Sequence, residues 1–124
     1  MKYRLLKRIN PRDPKQSKWY AAPVSDGKVT KSGVTAEIVN ISSLSRGDVS
    51  NAIECMTDVI PKYLLMGKSV NLGDLGTFRI SFSSDGVDDP SEFTVACIHG
   101  ARILFVPSVT LKKALKDLRF EKSE

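Results

Sequence analysis

The stretch Leu64-Leu65-Met66-Gly67-Lys68-Ser69-Val70-Asn71-Leu72-Gly73-Asp74-Leu75-Gly76-Thr77-Phe78 holds the point at which the hydrophobic period of this chain changes. Before it, apolar residues recur at helical spacing. After it, Phe78, Ile80 and Phe82 share one side while Thr77, Arg79 and Ser81 share the other, which is the period of a strand. Gly67 ends the helix, residues 69–72 form a short strand, and Gly73-Asp74-Leu75-Gly76 leads into the next strand. A twisted hairpin therefore follows directly on a helix.

Working upstream, Ser45 is placed to cap that helix, with Asp48 three residues on. Val49, Ala52, Ile53, Met56, Val59, Ile60, Tyr63 and Leu64 then form one apolar stripe. Pro61 lies inside it, where its ring meets the carbonyl of Thr57, so the spacing predicts one kinked helix rather than two. Residues 30–41 carry Val34, Ile38 and Ile41 at i, i+4 and i+7 and predict a shorter helix, separated from the long one by Ser42-Ser43-Leu44. At the N-terminus, Tyr3, Leu5 and Ile9 alternate with Lys2, Arg4 and Arg8, an edge strand in which cations discourage unwanted pairing. Residues 10–17 contain Pro11 and Pro14 and predict a loop; residues 18–24 predict a second short strand.

Working downstream, residues 83–92 are acidic and turn-rich, a loop or the tip of an arm. Residues 93–98 and 102–106 predict further strands about a turn at His99-Gly100. Ser108 is placed to cap a terminal helix with Leu111, Ala114, Leu115 and Leu118 towards the core and Lys112, Lys113 and Lys116 outward.

Composition bounds what such a chain can be. With 124 residues, 41% hydrophobic and 27% charged, it is long enough for one core and too apolar for disorder. No apolar run reaches the roughly 18 residues of a membrane span. Arg4, Lys7 and Arg8 interrupt the N-terminal stretch, so a secretory signal is not expected and the expected location is cytoplasmic. Two cysteines and one histidine make neither a disulfide scaffold nor a zinc site, so no metal and no cofactor is expected. The net charge of +5 is unevenly spread: residues 1–31 hold nine cations and two carboxylates, residues 32–92 four and nine, residues 93–124 six and three. Basic ends around an acidic middle suit a protein that meets a polyanion, although solvated surface charge gives the same count.

No catalytic set assembles. His99 beside Gly100 reads as a turn residue rather than a general base, and Cys97, alternating with Val95 and Phe93, reads as packed sheet surface rather than a nucleophile. Gly73-Asp74-Leu75-Gly76 lacks the lysine and hydroxyl of a phosphate loop and lies between strands. Arg79, Arg102, Lys112, Lys113 and Lys116 can each neutralise a phosphate, or simply solvate an amphipathic face. Trp19 and Tyr20, adjacent on a strand, point to opposite faces, so at most one is free to stack on a base while the other packs inward.

The quoted stretch, together with Leu44-Ser45-Arg46-Gly47-Asp48-Val49 upstream and Phe105-Val106-Pro107-Ser108-Val109-Thr110-Leu111-Lys112 downstream, resembles the HU/IHF-like histone-like DNA-binding proteins of bacteria. The resemblance covers about residues 30–118, and the extended basic N-terminus is similar to the longer HU-related proteins of Bacteroides-type bacteria. It implies an α+β fold in an intertwined homodimer: a helical-hairpin base, an antiparallel saddle with arms, a C-terminal helix and an added N-terminal strand segment. The implied organisation is an extension over residues 1–29 and an HU-like domain over residues 30–124.

The resemblance further implies a non-enzymatic, architectural protein of the nucleoid that binds and bends double-stranded DNA with little sequence preference. Its expected contacts are Arg79, Arg102, Lys112, Lys113, Lys116, Lys2, Arg4 and Arg8, with neither a membrane nor a small-molecule substrate as partner. In the family, a proline wedge at the arm tip enters the base stack. Pro90 occupies the corresponding region here, but Asp85, Asp88, Asp89 and Glu92 surround it, and each close carboxylate–phosphate pair costs about 1 kcal/mol even in water. The alternative expectation is a dimeric scaffold or regulatory module of the same fold that binds a protein partner.

Overall fold

The computed structural model describes residues 1–123. Two antiparallel strands, β1 (Lys2–Asn10) and β2 (Asp13–Val24), open the chain, followed by helices α1 (Lys31–Ile41) and α2 (Arg46–Leu65). Strands β3 (Val70–Asn71), β4 (Gly76–Ser84) and β5 (Ile98–Pro107) form a three-stranded sheet in that order. A short helix α3 (Val109–Lys113) and strand β6 (Glu121–Lys122) complete the chain. β6 runs parallel to the start of β1, so the C-terminal strand closes the N-terminal hairpin into a second sheet, β2-β1-β6. The N-terminal strands thus neither extend the β3-β4-β5 sheet nor lie as an isolated hairpin.

Local chemistry accounts for the boundaries. The Ser45 hydroxyl accepts from the Asp48 amide at 3.0 Å and the Asp48 carboxylate accepts from the Ser45 amide at 3.3 Å, the reciprocal capping pair expected at the start of α2. α2 continues through Pro61 to Leu65 as a single helix. Gly67, at φ +80°, takes the left-handed conformation that ends it. Ser108 caps α3 by accepting from the Leu111 amide at 3.0 Å. Its hydroxyl also donates to the Asp74 carbonyl and its amide to the Leu75 carbonyl at 3.2 Å, so the start of α3 is tied to the β3–β4 turn.

Several expectations are corrected. The loop expected at residues 10–17 is a tight turn at Pro11-Arg12, and β2 begins at Asp13. The register jumps from Ile9↔Ser17 to Asn10↔Asp13, which leaves Pro14, Lys15 and Gln16 off the ladder. Pro14, having no N–H, is tolerated in the strand because it falls in that irregularity. Residues 93–97 are not a strand, and only Ile98 of the expected segment lies in β5: Val95–Cys97 is a 3-10 turn, as is Pro90–Glu92, and Cys97 therefore does not belong to a sheet surface. His99 and Gly100 lie within β5, with Gly100 at φ +65° beside a register shift, and do not form a turn between strands. The terminal helix stops at Lys113 and continues as a 3-10 turn over Ala114–Asp117.

The core of one chain is small. Val49 and Leu64 are buried at 3% and 2% exposure, and Ile53, Met56 and Ile60 are half-buried between them, so one seam of the α2 stripe is covered. Ala52, Val59 and Tyr63 form a second seam of the same helix and are exposed. In α1 Thr35 is buried and Gly33, Ala36, Ile38 and Val39 are half-buried, whereas Val34 and Ile41 are exposed. Leu111, Leu115 and Leu118 also face solvent in the single chain instead of a core.

Candidate nucleic-acid interface

The β4–β5 pairing decides which cations meet. Arg79 lies opposite Leu104 and Ser81 opposite Arg102, so the two arginines are diagonal neighbours on one face of the ribbon. Thr77, Ser81 and Ser83 share that face; Phe78, Ile80, Ile103 and Phe105 occupy the other, where the Phe78 and Phe105 rings lie 5.0 Å apart. The Arg102 guanidinium donates to the Gly100 carbonyl at 3.2 Å and reaches the Ser83 hydroxyl at 3.5 Å. Among the described residues neither arginine forms an ion pair. Both charges remain open for an external anion.

Lys112 and Lys113 stand in the last turn of α3 and Lys116 in the 3-10 turn after it, all exposed. Lys2, Arg4 and Arg8 alternate along β1 and share a face with Lys18 and Tyr20 of β2. Lys18 was missed as a partner of this set because the match Arg8↔Lys18 exists only once the hairpin register is known. Trp19 is on the opposite face. Contrary to the expectation that one of the two aromatic residues packs inward, Trp19 is 65% and Tyr20 47% exposed. Each carries a cation over its ring, Lys7 at 6.0 Å from the Trp19 centroid and Arg8 at 5.9 Å from that of Tyr20.

Pro90 opens the 3-10 turn in the segment between β4 and β5, where the Asp89 carboxylate caps it by accepting from the Ser91 amide at 3.0 Å. Hydrogen bonding from the Ser91 backbone, and then from its side chain, holds the Asp89 carboxyl below its ordinary value. Asp85, Asp88 and Glu92 are exposed around it. At the base of this segment, His99 Nε2 lies 3.0 Å from Asp85 Oδ1, and the Asp85 amide donates to the Cys97 carbonyl at 2.8 Å. His99 is thereby occupied in holding an acidic loop. Among the described residues no group of three His, Cys, Asp or Glu side chains is placed to hold a metal ion. No helix among them is long and apolar enough to cross a membrane.

A basic hairpin thus precedes two helices, a β3-β4-β5 saddle and a short capped helix. Residues 1–122 match the family described as HU-HIG, an HU domain fused to wHTH, Ig or glycine-rich motif. The chain belongs to the HU-HIG family. Among solved structures, it is similar to a protein of Bacteroides vulgatus described as a candidate bacterial DNA-binding protein, with a TM-score of 0.61 and 20% identity. That similarity covers 98% of this chain and 47% of the other, so this chain spans about half the length of that protein. No curated protein matches. The HU-type α+β fold expected from residues 30–118 is the fold observed, and the HU-HIG match extends across the N-terminal hairpin as well.

Proposed function

We propose that this HU-HIG domain is an architectural, non-enzymatic protein that binds and bends double-stranded DNA with little sequence preference, as a homodimer on the bacterial nucleoid. The observation that carries the reading is the unpaired Arg79–Arg102 face of the β4–β5 ribbon, a phosphate-seeking surface on a rigid two-stranded element. Lys112, Lys113 and Lys116 add charge beyond the end of β5, and Lys2, Arg4 and Arg8 add it on the N-terminal sheet. The similarity to a candidate DNA-binding protein of Bacteroides vulgatus supports the same partner. Residues 1–29 serve as an extension and residues 30–124 as the HU-like domain, with β6 joining the end of the second to the first.

Surface area supports the dimer. The single chain exposes 10466 Å², whereas a folded monomer of this mass exposes about 6,600 Å². The exposed apolar residues include the open α2 seam of Ala52, Val59 and Tyr63 and the ribbon face bearing Ile80, Phe82, Ile103 and Phe105, which a second copy could cover.

The test is a gel shift of duplex DNA across a salt series, paired with sedimentation of the free protein. Binding that weakens steeply with salt, by a species of twice the chain mass, is the expected result; absence of duplex binding at low salt overturns the reading. A second reading, a dimeric scaffold for a protein partner, draws on the carboxylates Asp85, Asp88, Asp89 and Glu92 displayed between β4 and β5. Charge reversal at Lys112 and Lys113 separates the two: DNA binding is lost under the first and partner binding is unaffected under the second.

A further inference from the structure

We propose that the β1–β2 ribbon is itself a groove-inserting arm, entering duplex DNA with cations on both of its faces; the inference rests on the DNA-binding reading above. Arg8 and Lys18 stand directly opposite each other in the hairpin register, and like charges in that position repel. Residues 1–24 hold seven cations, Lys2, Arg4, Lys7, Arg8, Arg12, Lys15 and Lys18, against the single carboxylate Asp13. An isolated hairpin gains nothing from that arrangement. A polyanion lying along it converts the repulsion into attraction.

Geometry selects the polyanion. β6 pairs with β1 only at Lys2 and Tyr3, so beyond its base the element is a two-stranded ribbon. Its nine-residue β1 spans about 30 Å at strand rise, close to one turn of duplex DNA, and a two-stranded ribbon fits the major groove. Lys7 lies on the Trp19 face, while Arg4, Arg8 and Lys18 lie on the Tyr20 face. A groove has phosphates along both walls and engages both faces at once; a lipid bilayer engages one. At the tip, Pro11 turns the chain and Ile9 is 64% exposed, presenting an apolar end between Arg8 and Arg12.

Trp19 is the only tryptophan of the chain, so its emission reports on the ribbon alone. Titrating the full chain with a short duplex is expected to change Trp19 emission, and the change is expected to reverse with salt. Lys18→Glu places opposite charges across the hairpin. It is expected to leave the fold intact or firmer in urea while weakening duplex affinity at least tenfold. Arg8→Ala with Lys18→Ala should lower the slope of log affinity against log salt by about 1.8 for each arm that engages the duplex. Duplex binding with unchanged Trp19 emission, or with unchanged affinity in Lys18→Glu, overturns the arm while leaving the general DNA reading standing. Absence of duplex binding by the unmodified chain overturns both. A Trp19 response to anionic vesicles with none to duplex also overturns the arm.

Discussion

A Cβ built on Gly76 would come within 2.9 Å of the Phe105 ring and press against the Val106 carbonyl oxygen. Gly76 also sits at φ +148°, so both space and backbone conformation require glycine at the point where β3 turns into β4. Gly76→Ala is expected to cost about 2 kcal/mol or more, read as a fall in the urea midpoint, because the clash is with backbone that pairs the ribbon.

The capping pair at the start of α2 predicts a smaller and reversible loss. Ser45→Ala removes the acceptor of the Asp48 amide and is expected to cost about 1 kcal/mol, while Ser45→Thr or Ser45→Asp should restore most of it. Equilibrium denaturation of the three variants checks the order.

Lys31 at the start of α1 is hydrogen-bonded to Glu54 of α2, and this bond, reinforced by the lysine charge, holds the Glu54 carboxyl below its ordinary value of 4.5. A lowered folded-state value means that the tether is fully present above about pH 4.5 and fades as pH falls through the lower value. Both side chains are exposed, so the contribution is small. Glu54→Gln is expected to flatten the stability–pH curve below that point, measured by thermal melts across an acid series.

Assembly through the open seam of α2 predicts that a charge there separates the copies. Val59→Asp or Tyr63→Glu is expected to shift the sedimenting species from dimer to monomer and to reduce helical content. Ile41→Asp on α1, outside that seam and 83% exposed, serves as the control and should leave the dimer in place.

The Arg79–Arg102 face predicts a specific salt signature. Each of Arg79→Ala and Arg102→Ala is expected to lower the salt slope of duplex binding by about 0.9 per protomer contact, uniformly across DNA sequences. A loss confined to one sequence would assign base reading instead.

Much of the layout is legible in order and spacing. The Ser45 and Ser108 caps, the break at residues 42–44, the end of α2 at Gly67 and the switch to period two after it all follow from local chemistry, because a cap or a turn is decided by a few neighbouring residues. The misreadings have the opposite origin. Pro14 argues for a loop when read locally, yet a register jump absorbs it within β2. Phe93, Val95 and Cys97 alternate like a strand, yet Val95–Cys97 close into a 3-10 turn and Phe93 ends the preceding one.

The succession of helices and strands, the alternation of cations along β1 and the HU-like family are readable from residue type and interval. The return of β6 to β1, the shared face of Arg79 and Arg102, the opposition of Lys18 to Arg8, and the covering of one α2 seam while the other stays open come from the folded chain alone. Each of those is a pairing between distant segments, and pairing depends on register, where a shift of one residue exchanges every side chain between the two faces of a sheet.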